Sequence, residues 1–155
     1  MLIAAMAMFA QEENNDDYKE IVFKWSKYFL NHIERTDRGY LWKYWEEPTG
    51  TITWYESTNY GGIDTECIYA IHNSGIAFSE EDMNEIAKTI DLRIIGEEGA
   101  VSPRIDGEEK RGDITNQLIR YLPYAKRVPK ILDVLKKKDM NWAEASKMLY
   151  YNKSK

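Results

Sequence analysis

The chain has 155 residues and 18.2 kDa, the length of about one domain. An apolar share of 43% and a charged share of 30%, at a net charge of -5, exclude a disordered polymer, a collagen-like fibre and a multi-pass membrane protein. A single cysteine, Cys67, excludes an internal disulfide framework; with only His32 and His72 beside it, no metal site is expected.

Residues 1–10, MLIAAMAMFA, form an apolar run that meets the polar stretch QEENNDD abruptly. A bilayer crossing needs about 20 residues, so the run is too short to span. It has the length and small residues of the apolar core of an export signal ending at Ala10, without the usual positive residues before it. The other reading is a first turn of amphipathic helix. The expectation is export to the periplasm or beyond, with residues 1–10 as a signal segment and 11–155 as a single helical domain that meets no membrane once the signal is removed; the alternative is a cytoplasmic chain.

Residues 17 to about 36 read as the first full helix. Asp17 with Glu20 is an Asp variant of the capping box. Ile21, Trp25, Tyr28, Phe29, His32 and Ile33 recur at spacings of three and four, which gives one apolar face. Gly39 is the stop. Residues 41–45 and 51–55 are rich in β-branched and aromatic residues, and EEPTG lies between them, so they read as a short aromatic hairpin or two extended segments. Gly61 and Gly62 lead into a second helix with Ile63, Cys67, Ala70 and Ile71 on one side and Gly75 as its end. In the third helix Ser79 is the N-cap with Asp82 three residues on. Phe78 and Met83 form a hydrophobic staple, and Met83, Ile86, Ala87 and Ile90 carry the face. Residues 96–112 hold four Gly and one Pro and read as a long loop. From Asp113 the chain is helical again, interrupted near Pro123 and Pro129, and Asn141 caps a last helix with Trp142, Ala145, Met148 and Leu149.

Charge and aromatic residues are both unevenly spread. From Arg120 onward there are ten Lys or Arg and three Asp or Glu, or +7, which leaves -12 for the rest of the -5 total. A basic end can meet an anionic partner or can be a solvated helix face. No recognised nucleic-acid motif accompanies it, so nucleic acid is not an expected partner. Seven of the 20 Trp, Tyr and Phe residues fall between Tyr40 and Tyr60. Trp42, Tyr44, Trp45 and Trp54 lie there with Glu46, Glu47, Glu56 and Asn59. Flat rings take the apolar faces of sugars, and Asn, Glu and Arg take the hydroxyls, in a concave groove with a few polar groups. Trp and Tyr fill cores equally well, and composition leaves both readings open. No Gly-rich phosphate loop, GxSxG elbow, HExxH or EF-hand pattern is present, and no cofactor is expected.

The stretch from Trp54 to Ile90, WYESTNYGGIDTECIYAIHNSGIAFSEEDMNEIAKTI, resembles a signature of α/α-toroid carbohydrate-active proteins. These are the polysaccharide lyase and glucuronyl C5-epimerase-like group, whose chains pack helical hairpins in a ring. In that group an acidic E-D-x-x-H-G cluster opens a helix. A G-[IV]-x-F segment and a D-M-x-x-[IL]-A-x-T helix follow. Here Glu56 stands at the Glu, Ser57 at the Asp, Tyr60 at the His and Gly61 at the Gly. Gly75, Ile76 and Phe78 follow at the expected distance, then Asp82, Met83, Ile86, Ala87 and Thr89. GYLWKYW from Gly39 resembles the aromatic strand before the cluster. PRIDG from Pro103 and YLPYA from Tyr121 resemble downstream segments.

The resemblance implies a mainly α fold, a partial α/α toroid of helical hairpins with the short aromatic β-hairpin. Such rings generally need about twice this length, so 155 residues make only an arc. The ends of an arc lack neighbours for their apolar faces, which implies self-association or a missing partner domain. It also implies binding, and processing, of an oligosaccharide or polysaccharide that contains uronic acid. In lyase or epimerase chemistry a base removes the C5 proton beside the carboxylate, and the enolate-like anion needs a positive or hydrogen-bonding neighbour. Glu56 and Tyr60 are then the candidate catalytic residues. Trp42, Tyr44, Trp45, Trp54, Asn59, Arg104 and Asp106 are the candidate substrate-binding residues, with Arg104 bidentate on the carboxylate and Asp106 orienting it. Ser57 and Tyr60 depart from the family's pattern, so they cannot act as its Asp and His do. The alternative is a non-catalytic helical interaction module of an exported protein, in which the aromatic segment is core.

Overall fold

The computed structural model describes residues 2–43, 54–96, 99–108, 115–137, 146–147 and 150. The first helix, α1, spans Leu2–Glu12 and packs on the next two helices through Ala4, Ala7 and Ala10, all buried. The expected signal segment is thus part of a helix that runs on past residue 10.

Helix α2, Asp16–His32, is opened by Asn15, whose backbone is extended and whose side-chain oxygen accepts the Tyr18 amide at 3.1 Å. The cap therefore stands two residues before Asp17, and Asp16 and Asp17 fill the first turn, where the helix dipole favours negative charge. Val22 and Ser26 form its buried line, with Trp25 and Phe29 packed beside them, whereas Ile21, expected on that face, is 44% exposed. Ser26 is tolerated inside because its hydroxyl donates to the Val22 carbonyl at 2.8 Å.

The helix ends four residues earlier than expected. Ile33 is extended, and strand β1, Glu34–Thr36, pairs antiparallel with β2, Gly39–Leu41, with Arg35 opposite Tyr40. The Thr36 hydroxyl closes the turn, donating to the Gly39 carbonyl at 2.7 Å and accepting the Arg38 amide at 3.2 Å. Gly39 has φ +100°, and a Cβ there would fall 2.4 Å from the Glu85 carbonyl oxygen, so only glycine lets the hairpin reach the fourth helix. The hairpin expected at 41–45 and 51–55 shows one antiparallel bridge, Lys43 opposite Tyr55. Residues 44–53, with Tyr44 and Trp45, lie outside the described residues.

Helix α3, Thr58–Asn73, begins before Gly61 and Gly62 rather than after them. Its N-cap is Ser57, whose hydroxyl accepts the Tyr60 amide at 3.3 Å. Gly75, at φ +71°, follows its end as expected. Helix α4, Glu80–Thr89, has the expected Ser79 cap, closed as a capping box: Ser79 Oγ accepts the Asp82 amide at 3.2 Å, and the Asp82 carboxylate accepts the Ser79 amide at 2.8 Å. Phe78, Met83, Ile86, Ala87 and Ile90 are all buried. A wider π-helical turn, Ile90–Ile94, continues it. A 3₁₀ helix, Thr115–Tyr124, contains Pro123, and α5, Lys130–Leu135, starts after Pro129. The expected helix of 141–149 falls almost wholly outside the described residues.

The fold is mainly helical with one small two-stranded antiparallel sheet. Its core joins Ile68 and Ile71 of α3, Met83 and Ile86 of α4, and Leu118, Tyr121, Leu122 and Tyr124 of the 3₁₀ helix. The basic C-terminal third reaches back to acids of the earlier helices. Arg120 and Lys147 pair with Glu66, Arg127 with Glu80 and Lys130 with Asp91.

Candidate functional site

Three extended segments lie side by side ahead of α3. The Glu56 amide donates to the Trp42 carbonyl at 3.0 Å, and the Ile105 amide donates to the Glu56 carbonyl at 3.0 Å. Ser57 bridges Arg104, and the Thr58 amide donates to the Pro103 carbonyl at 2.8 Å. The Thr58 hydroxyl adds a bond to the Ser102 carbonyl at 2.5 Å. Residues 102–105, expected to be loop, thus pin the segment that enters α3.

Above this ladder is a groove of about 490 Å³ lined by Trp54, Tyr55, Glu56, Ser57, Tyr60, Pro103 and Arg104. Trp54 is 59% exposed and Tyr60 51%, so two aromatic rings stand in its walls. Glu56 is only 4% exposed, and its carboxylate accepts the Ser57 amide at 2.6 Å. Burial pushes the Glu56 carboxyl above the usual Glu value of 4.5, and the negative charge of Asp64 adds to the rise; the bond from Ser57 opposes both. Arg104 pairs with buried Asp106, which also accepts the Glu108 amide at 3.2 Å. Tyr55 donates its hydroxyl to Glu34 at 2.6 Å, and that bond, with burial, holds its pKa above the ordinary value.

The structure therefore brings together Trp54, Glu56, Tyr60 and Arg104 of the expected residues, with Asp106 beside Arg104. Asn59 is half-buried in the first turn of α3 and does not line the groove. Trp42 lies in the core. Its indole N–H donates to Asp64 at 2.9 Å, and its ring meets Phe29 at 5.6 Å between centroids. Asp64 was not among the expected residues; burial raises its carboxyl, and the Trp42 bond opposes the rise. Tyr55, Ser57 and Pro103 were also missed. Ser57 carries a readable signal, a serine just before an apolar helix, whereas nothing in the sequence pairs Pro103 with Thr58.

Among the described residues no group of three or more His, Cys, Asp or Glu gathers as a metal site, and no helix is long and apolar enough to cross a membrane. Comparison with protein-family models, with curated proteins and with solved structures gives no match for this chain.

Proposed function

We propose that the groove binds a segment of an acidic oligosaccharide or polysaccharide, one that carries uronic acid. The observation that supports this reading is the joining of two exposed rings, a buried carboxyl and an arginine in one open cavity. Trp54 and Tyr60 offer flat apolar surfaces to the C–H faces of sugars. Arg104, held by Asp106, meets a uronate carboxylate with charge-assisted bonds. Glu56 donates to a sugar hydroxyl when protonated and accepts from one when ionised. Its raised pKa brings both forms nearer neutral pH, which suits a group that moves a proton at C5. Processing of the bound sugar by Glu56 and Tyr60 is the further part of this proposal. So is the arc of an α/α toroid, supported by the α1–α2 helical hairpin.

The experiment is a tryptophan fluorescence titration with oligouronides and with neutral oligosaccharides of equal length. The emission should shift with the oligouronides. Arg104→Lys keeps a cation beside Asp106 but loses the planar fork, so it should weaken the acidic ligand and leave the response to neutral sugars unchanged. No shift with either class at high concentration rejects the groove reading and leaves the helical interaction module.

A further inference from the structure

Asp64 lies on α3, outside the residues that line the groove. Its carboxylate takes the indole N–H of Trp42 at 2.9 Å. Trp42 is wedged between α2 and α3. Its ring lies 5.6 Å from that of Phe29, and a Cβ on Gly61 would come within 3.5 Å of its Cζ2. The carbonyl of the same tryptophan takes the Glu56 amide at 3.0 Å, and the Ile105 amide closes the other edge of Glu56 at 3.0 Å. Ile105 meets the same glycine, at 2.8 Å from the notional Cβ. One buried ring therefore links the Asp64 carboxylate to the backbone that carries the groove's acid.

From this geometry we infer that Asp64 is a positioning residue of the groove: it fixes the Trp42 indole, and Trp42 in turn fixes the segment that presents Glu56. As a statement about ligand binding this rests on the groove reading; as a statement about Glu56 it does not. A buried indole N–H needs an acceptor, and α3 supplies it from its second turn. Asparagine at position 64 still offers a carbonyl oxygen to the indole, whereas leucine does not. The charge of Asp64 also acts on Glu56 through space and helps to raise its pKa.

The test is amide hydrogen exchange by NMR on the full chain without ligand. In Asp64→Leu, exchange at the Glu56 and Ile105 amides should rise about tenfold or more while Ile86 in α4 keeps its wild-type protection. Asp64→Asn should leave all three unchanged and lower the Glu56 titration midpoint, because a like charge is gone. Trp42→Phe keeps an aromatic ring, smaller than the indole, and removes the donor. It should reproduce the local loss, and it serves if the leucine variant does not fold. A uniform rise at Glu56, Ile105 and Ile86 means an ordinary core role and overturns the inference, as does no change at Glu56 in Asp64→Leu and in Trp42→Phe. Oligouronide titration of the same proteins separates the two claims. Local exchange that rises as expected, with no binding in the wild type, keeps Asp64 as the positioning residue and removes the ligand reading.

Discussion

A Cβ placed on Gly62 would stand 2.7 Å from the Cβ of Arg120. Here the bare backbone of α3 meets the Arg120 side-chain stem of the 3₁₀ helix. Tyr121 sits in the same contact, and its hydroxyl donates to the Thr58 carbonyl at 2.6 Å. Glycine inside a helix costs about 1 kcal/mol against alanine, so its presence at Gly62 answers to packing.

Gly62→Ala tests that contact by its sign. Helix propensity alone predicts a gain of about 1 kcal/mol. Overpacking at 2.7 Å predicts a loss of about 1–3 kcal/mol. The neighbour is a Cβ fixed to the Arg120 backbone, so the loss should win. Thermal unfolding followed by circular dichroism should show a Tm several degrees lower, and a rise in Tm would mean that the helices are further apart.

The sequence makes some of this legible and hides the rest for identifiable reasons. Ser79 and Asp82 speak through neighbours three residues away, so the capping box and the buried Met83–Ile86–Ile90 face are readable. Ile21 misleads because Val22 beside it is equally apolar, and only the position of Trp25, Phe29 and α1 decides which one turns inward. Asn15, Asp16 and Asp17 are all acceptable caps by composition, and the backbone chooses Asn15. In the groove, Trp54, Glu56 and Tyr60 are close in sequence, and Arg104 is found through its resemblance to a downstream segment. Trp42 could not be assigned from composition, because whether a tryptophan is core or wall depends on an acceptor 22 residues away.

Helix α1 gives a second prediction. Ala4, Ala7 and Ala10 are buried against α2 and α3, so protein that begins at Gln11 should unfold at lower temperature than the full chain. Ala7→Leu in the full chain should cost about 1–3 kcal/mol by overpacking, while Phe9→Ala, at a half-exposed position, should cost clearly less. Equal melting temperatures for the full and shortened chains would show that α1 adds nothing to the fold.

The raised carboxyls predict a pH dependence with a definite sign. Glu56 and Asp64 hold protons more tightly folded than unfolded, chiefly through desolvation, Glu56 being buried and Asp64 half-buried. Their contribution to stability is therefore fully present below the unfolded values and is lost as pH rises through the folded ones. Surface acids such as Glu80, lowered by Arg127, act in the opposite direction, so the signal is read as a difference between proteins. Glu56→Gln keeps an oxygen for the Ser57 amide and cannot ionise. It should gain on the wild type at neutral pH, and the gain should shrink as pH falls below the ordinary Glu range. A difference that does not vary with pH would mean that the Glu56 carboxyl is solvated.

The groove itself is tested most directly by an NMR titration of the isotope-labelled chain with an oligouronide. The account predicts that the largest shifts cluster at the Trp54 indole and at the amides of Ser57, Tyr60 and Arg104, and that they saturate together. Shifts confined to the separate cleft between α2 and the turn after α3, at Phe23 and Ile76, or no saturable shift at the four groove residues, would contradict it.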